Sequence, residues 1–383
     1  MLRVLQFFKT SLPETMGGIE QVIHQIALGG GRHGYATDVL SLSRQGRAPA
    51  IEQDGYTLHR AHRDFEIAST GFSASAVTRF RQLAARADVI HYHFPWPFMD
   101  LVHFASRVSK PTLVTYHSDI VRQKLLLQLY RPLMERFLGQ MDAIVATSPN
   151  YLATSPVLTR FSDKVSIIPI GLDRDCYPAP APERLRHWRG VLGERFFLFV
   201  GVLRYYKGLH ILLQAMQGVD FPIAIVGAGP IAHELEAQAR QLGLRNIHFL
   251  GGVSEADKNA LLTLCRAVVF PSHLRSEAFG VSLLEGAMHG KPMISSEIGT
   301  GTTFVNIGGE TGLVVPPSDP AALRQAMTCL WTDAARAQGM GEQAGARYRQ
   351  YFQADRMCAA YARLYRDLAG RQSRSAARDE GEG

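Results

Sequence analysis

The stretch FFLFVGVLRYYKGLHILLQAMQGVDFPIAIVG (196–227) contains a complete β-α-β unit. Its two apolar runs, FFLFVG (196–201) and PIAIVG (222–227), have the length of strands, and a helical stretch near 208–217 separates them. Continuously apolar strands are typical of a parallel sheet that helices cover on both faces. The pattern therefore predicts a parallel sheet wrapped by helices.

The same alternation continues in both directions along the 383 residues. Upstream strands are predicted at 3–8, 36–42, 88–93, 111–117, 143–148 and 165–170. Downstream strands are predicted at 247–251, 267–272, 292–296 and 312–317. Two successive β/α assemblies predict an α/β protein in which two Rossmann-like domains face each other across a cleft.

The boundary between the domains is predicted in DRDCYPAPAPERLRHWRG (173–190), where three prolines mark a linker or an exposed loop. The domains would close about this segment. We expect an N-terminal domain at 1–172 and a second domain at 173–347. A C-terminal helix near 348–368 is expected to pack back on the first domain. The polar tail, 371–383, is predicted to be disordered.

The composition excludes several classes of protein. A formal charge of +7 suits anionic small molecules or an anionic membrane surface, and it gives no reason to predict a nucleic-acid partner. The 4 cysteines form no Cys-x-x-Cys pair, which predicts free thiols in a reducing, cytoplasmic compartment and no zinc site. The N-terminal apolar run is too short for a signal peptide, and no stretch of about 18 apolar residues predicts a transmembrane helix.

Two acids, Glu277 and Glu285, stand out in SEAFGVSLLEGAMHGKP (276–292). If the segment is helical throughout, eight residues separate them by about 12 Å of rise, which is too far for a typical glycosidase pair. Gly280 is expected to open the helix, whose free N–H groups would form an anion site between the acids. This arrangement fits a nucleotide-sugar, with a diphosphate between two groups rich in hydroxyls. A helix-capping acid plus a buried ion pair is the alternative.

Two cations follow a buried strand in FVGVLRYYKG (199–208). Arg204 and Lys207 are expected at the carboxyl end of that strand, where open α/β sheets bind ligands. There they would neutralise a diphosphate leaving group. A solvated surface pair is the alternative.

Taken together, these motifs resemble glycosyltransferase family 4, whose members are retaining enzymes with the GT-B fold. The resemblance rests on the Glu-x7-Glu pair, on the cationic loop with Gly201 and Gly208, and on IPIGLD (168–173) and IVGAGP (225–230). It covers nearly the whole chain.

The resemblance implies a role for each motif residue. Glu285 would bind the donor ribose, and Glu277 would hold hydroxyls of the donor sugar. Backbone N–H groups near Phe279, Gly280 and Val281 would assist Glu277, while Arg204 and Lys207 would bind the diphosphate.

Gly227 belongs to a loop that would approach the nucleobase. The same loop also reads as a dinucleotide fingerprint, with Gly227, Gly229 and Ala232, but no acid follows at the expected place.

In the N-terminal domain, the resemblance implies that Gly17 and Gly18 form a loop over the phosphates and that His117 faces the transferred sugar. An ordinary strand–helix turn and a core histidine are the alternatives. Glu20 would cap the following helix or face the acceptor. His91 and His93 are interpreted as structural or acceptor-side residues, since no carboxylate accompanies them as in a metal site.

The function implied is the transfer of a hexose from a nucleotide diphosphate-sugar to a glycan or lipid-linked acceptor, with retention and without a metal or other cofactor. The opening segment and the cationic loop are similar to those of bacterial mannosyl- and rhamnosyltransferases of lipopolysaccharide O-antigen synthesis, which favours GDP-mannose or a GDP-deoxyhexose. A nucleotide-sugar epimerase and a non-catalytic nucleotide-sugar binding protein remain alternatives.

The apolar and basic segment 119–141 could lie on the inner face of the cytoplasmic membrane, as a peripheral contact. Packing with a solvated basic face is the alternative.

Overall fold

The computed structural model describes residues 1–15, 17–45, 49–67, 70–120 and 124–379. The chain divides into two compact units. The first unit contains Met1–Gly171 and Ala354–Gly383, and the second contains Leu172–Gln353. Among the described helices, none combines the length and apolar character needed to cross a bilayer.

The strands share a short length of three to nine residues. Those of the first unit are β1 Leu2–Phe7, β2 Tyr35–Ser43, β3 Ile51–Gln53, β4 Tyr56–His62, β5 Phe65–Ile67, β6 Thr70–Phe72, β7 Val89–Phe94, β8 Thr112–Tyr116, β9 Ala143–Ala146 and β10 Val165–Ile167. Those of the second unit are β11 Phe197–Val200, β12 Ile223–Val226, β13 Ile247–Gly251, β14 Ala267–Phe270, β15 Met293–Ser296 and β16 Gly312–Val315.

Helices separate most of the strands, as the sequence predicts. Those before the second unit are α1 Gly18–Leu28, α2 Gly30–His33, α3 Ala74–Ala84, α4 Pro97–Ser106, α5 Lys124–Gln140 and α6 Pro149–Thr154. The later ones are α7 Pro182–Leu192, α8 Leu209–Ala215, α9 Ala232–Gln241, α10 Glu255–Leu264, α11 Val281–Met288, α12 Thr302–Val305, α13 Pro320–Thr332, α14 Ala334–Tyr351 and α15 Ala354–Asp379.

The sheet of the first unit has the order β10-β9-β8-β7-β1-β2-β4-β3. Its strands run parallel except β3, which pairs antiparallel with β4. From β1 the chain builds outward through β2 and then, from β7, builds outward on the other side. The topological switch point therefore lies between β1 and β7, where sheets of this class bind ligands at the carboxyl ends of the strands.

The second sheet has the order β13-β12-β11-β14-β15-β16, and all its pairings are parallel. The chain builds from β11 to β13 on one side and from β14 to β16 on the other. Its switch point lies between β11 and β14. The loops that follow these two strands carry the cationic and the acidic motifs of the sequence analysis.

Strand β11 illustrates why a continuously apolar run forms a strand here. Successive side chains of a strand point to opposite faces of the sheet. Phe197 and Phe199 lie in one buried apolar cluster, and Leu198 and Val200 lie in another. Because both faces are covered, every position of the strand must be apolar, as predicted for a parallel sheet within helices.

The second unit begins one residue before the expected domain boundary and ends six residues after the expected end at 347. All of 173–190 lies within this unit, where Trp188 of α7 donates from Nε1 to Asp257 Oδ1 at 3.0 Å. Pro182 takes the first position of α7, where a missing N–H costs nothing, while Pro178 and Pro180 precede the helix in a segment without regular secondary structure. The chain passes between units after Gly171 and after Gln353.

The C-terminal region also differs in part. The C-terminal helix α15 belongs to the first unit, and it begins at Ala354 instead of near residue 348. The helix continues to Asp379, so residues 371–379 are helical and not disordered. Arginine, alanine and glutamine in this segment favour a helix despite its polarity. Residues 380–383 of the predicted tail lie outside the described residues.

Candidate active site

Two loops at the switch point of the second unit bring the predicted donor-site residues together. The loop after β11 carries Arg204 and Lys207, and the loop after β14 carries Glu277. Lys207 Nζ forms an ion pair with Glu277 Oε2. Glu277 therefore lies in a loop, and α11 begins directly after Gly280, as predicted, because Gly280 adopts a left-handed conformation that ends the loop before the helix.

Glycines allow these loops to pack closely. A Cβ at Gly227 would lie 2.0 Å from the carbonyl oxygen of Gly201, and a Cβ at Gly208 would lie 2.0 Å from that of Pro271. Gly208 also has φ 71°, which favours glycine. The loops after β11, β12 and β14 are thus held together through backbone contacts that side chains would prevent.

The Lys207–Glu277 pair is shielded from solvent, with the two side chains only 11% and 12% exposed. Ser272 Oγ donates to Glu277 Oε2 at 3.2 Å, and Lys207 Nζ lies 4.8 Å from the centroid of the Phe270 ring. The two predicted functional charges therefore compensate each other. Such a pair holds the carboxylate in place, where its oxygens can accept hydrogen bonds from hydroxyls.

Arg204 differs from Lys207 in its surroundings. Its side chain is exposed, and across the described residues its guanidinium has no hydrogen bond or ion pair. The uncompensated positive charge of this loop is therefore that of Arg204. A guanidinium with five free donors can bind a phosphate group in a bidentate way.

The N-terminus of α11 lies at the same sheet edge. The helix begins at Val281, and its N-cap residue, Gly280, provides no side-chain cap. The Phe279 side chain is 4% exposed and packs in the interior, so this segment can contribute to a site through its backbone only. Ser282 Oγ donates to the carbonyl of Val200 at 2.8 Å and ties the helix to β11. Uncapped N–H groups and the helix dipole favour an anion here.

Glu285 is buried within α11, with 5% exposure. Its Oε1 is 2.8 Å from Lys258 Nζ and accepts a hydrogen bond from Tyr177 OH at 3.0 Å. Burial raises the pKa of Tyr177, and Glu285 raises it further, so the phenol remains a donor. Within the described part of the chain, Glu285 Oε2 has no partner, which leaves it available for a ligand hydroxyl.

Lys258 and Tyr177 were not found by sequence reasoning. Burial lowers the pKa of Lys258, but the carboxylates of Glu285 and Glu255 outweigh it, and the net pKa is raised. A single lysine in α10 and a tyrosine near a proline-rich stretch carry no local signal, because their partner Glu285 is 27 and 108 residues away (285 − 258 and 285 − 177).

In the first unit, Gly17 and Gly18 begin α1, and Glu20 lies beside them. Glu20 Oε1 accepts hydrogen bonds from the hydroxyls of Thr10 at 2.7 Å and Thr15 at 3.0 Å. A Cβ at Gly17 would lie 2.3 Å from Glu20 Oε2, so this glycine makes room for the carboxylate. The acid therefore lies in the first turn of α1, near the positive end of the helix dipole, where these two hydroxyls hold it.

His117 follows β8 at the carboxyl edge of the first sheet, and it is 6% exposed. Its Nε2 lies 3.0 Å from His93 Nδ1, and its backbone N–H donates to the carbonyl of Phe94 at 3.0 Å. Burial lowers the pKa of His117 to about 3, so its ring is neutral near pH 7. The ring can therefore accept or donate a hydrogen bond without carrying a charge.

His91, His93 and His117 form what we call the histidine row. His91 lies within hydrogen-bond distance of Tyr365 OH, at 2.8 Å, and of Thr115 Oγ1, at 2.7 Å. Burial lowers the pKa of His91 and of His93 well below the usual range. Over the residues that the structure describes, no cluster of histidine, cysteine and acid could hold a metal ion. His91 and His93 are buried in the interior and hydrogen-bonded to neighbouring side chains.

Two family models match the chain. The one described as Glycosyltransferase Family 4 matches residues 16–175, and the one described as Glycosyl transferases group 1 matches residues 186–347. The chain is also 63% identical, over 353 residues, to the D-rhamnosyltransferase WbpZ of Pseudomonas aeruginosa, covering 92% of this chain and 93% of that relative. This chain belongs to glycosyltransferase family 4.

This family 4 glycosyltransferase has further relatives over its whole length. It is 48% identical to O-antigen chain mannosyltransferase C of Escherichia coli, over 96% of this chain and 99% of the relative. The solved structure of sucrose-phosphate synthase from Thermosynechococcus elongatus is similar with a TM-score of 0.80 and 20% identity, covering 96% and 99% of the two chains. The likeness to solved structures confirms the predicted GT-B fold, and the family assignment confirms a glycosyltransferase.

Proposed function

We propose that this glycosyltransferase moves mannose or rhamnose, with retention, from a GDP-sugar to a lipid-linked glycan acceptor in O-antigen synthesis. The identities of 63% and 48% to a D-rhamnosyltransferase and an O-antigen chain mannosyltransferase support the sugar and the pathway. The observation that carries the proposal is the second unit's switch point, where an exposed arginine, an uncapped helix N-terminus and Glu285 lie in adjacent loops and helices. This arrangement suits a diphosphate flanked by hydroxyls.

In this proposal, the diphosphate binds the N–H groups of Gly280 and Val281 together with Arg204. Lys207 stabilises the charge that builds on the diphosphate as the sugar leaves, and it remains paired with Glu277. Cations and helix dipoles aimed at a leaving group lower the barrier by several kcal/mol in enzymes of many kinds. A metal ion is then not required to neutralise the diphosphate.

Each acid has a separate task in the proposal. Glu277 accepts hydrogen bonds from hydroxyls of the transferred sugar. Glu285 uses its unpartnered Oε2 for the ribose hydroxyls, while its Oε1 stays bound to Lys258 and Tyr177. Because Glu285 enters the contact already ordered and desolvated, little conformational entropy is lost on binding. Gly227 would allow the nucleobase to approach the backbone.

The first unit contributes His117 toward the transferred sugar and the turn of Gly17 and Gly18 toward the phosphates. With no enzymic nucleophile in the proposed site, the acceptor hydroxyl attacks on the face from which the diphosphate leaves. A diphosphate oxygen accepts the hydroxyl proton. This sequence retains the anomeric configuration without a covalent glycosyl-enzyme.

We also propose a peripheral contact with the inner face of the cytoplasmic membrane. Helix α5 exposes Leu126 by 51% and Leu129 by 82%, and the adjacent α4 exposes Leu101 by 47%. Residues 121–123 of the predicted segment lie outside the described residues. We expect Leu129→Gln to reduce sedimentation with anionic lipid vesicles, whereas Val191→Gln, at a 46% exposed position of α7, should not. Equal sedimentation of both variants would contradict the contact.

The donor is tested by turnover with a panel of GDP-, UDP- and dTDP-sugars and a lipid-linked acceptor. GDP-mannose or a GDP-deoxyhexose is expected to give a retained linkage in the presence of EDTA. Donor epimerised without acceptor, or bound without transfer, would contradict the proposal.

The role of the cations is tested with Lys207→Ala and Arg204→Gln. Loss of either cation should reduce kcat by at least about 100-fold, which is the effect of removing one transition-state donor. Arg186→Gln is the control, because Arg186 is 73% exposed and pairs with Glu183 of its own helix, α7. Turnover of Lys207→Ala close to that of the wild type would reject the assignment of Lys207.

A further inference from the structure

Gln6, His93 and His117 form a continuous line of hydrogen-bonding side chains across β1, β7 and the end of β8. His93 Nε2 lies 2.9 Å from Gln6 Oε1, and His93 Nδ1 lies 3.0 Å from His117 Nε2. Gln6 and His93 are fully buried. At the far end of the line, Nδ1 of His117 has no hydrogen-bond partner among the residues described.

The protons of this line can be assigned by counting. Both rings are neutral, because burial lowers the pKa of His93 well below its usual range and that of His117 to about 3. Two neutral imidazoles that share one hydrogen bond hold one proton between them. Which of the two rings carries this shared proton depends on whether His93 Nε2, the nitrogen that faces Gln6, is itself protonated. Gln6 Oε1 is a carbonyl oxygen and can only accept, so His93 Nε2 carries its ring's proton.

The proton on His93 Nε2 determines the tautomer of His117. With its proton on Nε2, His93 has an unprotonated Nδ1, which must accept. His117 Nε2 therefore donates to it, and His117 Nδ1 is left with a lone pair. We propose that Gln6 is a positioning residue that acts through His93 to present His117 Nδ1 as a hydrogen-bond acceptor.

The consequence is a preference for the chemical group that meets His117. A lone pair on Nδ1 accepts from a hydroxyl, which a hexose supplies, and it repels the oxygens of a phosphate. This consequence rests on the proposed function, in which His117 contacts the transferred sugar. With the Gln6 amide turned over, Nδ1 would carry a proton and would favour phosphate or carbonyl oxygens instead.

A second observation separates this role from simple packing. Gln6 Nε2 is fully buried and lacks a partner within the described residues. A buried donor without an acceptor destabilises a fold, and in native proteins it calls for a functional explanation. If Gln6 only filled space, Gln6→Met would keep the length of the side chain, remove the unpaired donor and leave turnover unchanged.

The assignment can be read directly in the free, full-length protein. Histidine labelled with ¹⁵N distinguishes Nδ1–H from Nε2–H tautomers by the shifts of the two nitrogens, and His93→Gln and His117→Gln spectra identify the two rings. We expect both rings as Nε2–H tautomers. In Gln6→Met, His117 should show an Nδ1–H fraction. A wild-type His117 with its proton on Nδ1 would overturn the proposal, whatever the variants do.

Turnover then tests the link to the sugar. Gln6→Met should lower kcat/KM for the donor by about tenfold, the equivalent of one hydrogen bond, without lowering the melting temperature. Thr115→Val is the matched control, since Thr115 binds His91 in the same buried row but not His117. It should leave the His117 tautomer and turnover unchanged.

The outcomes distinguish the two proposals. If the tautomers follow Gln6 as stated but turnover does not, the relay stands and the proposed contact of His117 with the sugar fails. If Gln6→Met changes neither tautomer, the relay fails while the proposed transferase function is untouched. Equal tautomer changes in Gln6→Met and Thr115→Val would also refute the relay, because the effect would then be a general loosening of the interior.

Discussion

Replacement of Lys258 by methionine removes the cation that holds Glu285. The Lys258–Glu285 pair, at 2.8 Å, has side chains that are only 16% and 6% exposed, so it is a buried ion pair. Removing one partner of such a pair leaves an uncompensated charge and costs about 3–5 kcal/mol of the free energy of unfolding. The second carboxylate near Lys258, that of Glu255, is 60% exposed, and Glu255→Gln should cost less than about 1 kcal/mol.

The double variant Lys258→Met/Glu285→Gln makes the reasoning specific. If the cost arises from the unpaired charge, making Glu285 neutral should restore most of the lost stability, because well-packed neutral groups often replace buried pairs at little cost. Donor binding should not return, since the proposed contact with ribose needs the Glu285 carboxylate. In Lys258→Met, both stability and donor affinity should therefore fall. In the double variant, stability should recover while donor affinity stays low.

Urea unfolding at pH 7, followed by tryptophan fluorescence, measures these differences. In a Trp96→Phe background, the remaining tryptophans, Trp188 and Trp331, both belong to the second unit and report on its unfolding. The pKa of Lys258 is raised, so the stability it provides is fully present at pH 7 and is lost only as the pH rises through its folded value. A cost for Lys258→Met no larger than that for Glu255→Gln, or no recovery in the double variant, would refute the reasoning.

Three further predictions concern the fold. Gly227→Ala should destabilise the second unit by about 3 kcal/mol in urea unfolding, because the added Cβ would lie 2.0 Å from a backbone oxygen. Gly252→Ala is the control: a Cβ at this position meets no atom within 4 Å, and stability should change by less than about 0.5 kcal/mol. Lowering the pH from 7 to about 5 should reduce the free energy of unfolding by up to about 2 kcal/mol for each ring of the histidine row, because the folded pKa values lie below the unfolded value and unfolding then takes up protons. Unfolding of the first unit is monitored by Trp96 fluorescence, and a stability that is independent of pH would contradict this prediction. Asp100→Asn should stabilise the first unit by about 1 kcal/mol at pH 8, because burial raises the pKa of the Asp100 carboxyl and its Oδ1 lacks a partner among the described residues. The gain should fade in acid, where the wild-type carboxyl is protonated. A gain that persists in acid would argue against ionisation as its cause.

Local sequence patterns determined the sheet class and most strands of this protein, but they did not indicate the four strands β3 to β6. The run 196–201 predicts β11, observed at Phe197–Val200, because a strand covered on both faces must be apolar at every position. The loop that carries Lys207 was also predicted at the carboxyl end of a buried strand, and it follows β11 in the structure. Such features depend on residues close together in the chain, and a sequence displays them directly.

The tertiary structure alone decided which charges meet. Lys207 pairs with Glu277 across 70 residues, and Gln6 reaches His93 across 87 residues, and neither contact leaves a periodic or local trace in the sequence. The same holds for Lys258, whose burial beside Glu285 follows from the packing of α10 and not from its own helix. Gly280 was predicted to open the helix and does so in a left-handed conformation, but only the folded chain shows that the loop before it carries Glu277 to the lysine. Contacts between residues far apart in the chain depend on which strands and helices pack side by side. They therefore become visible only in the folded structure.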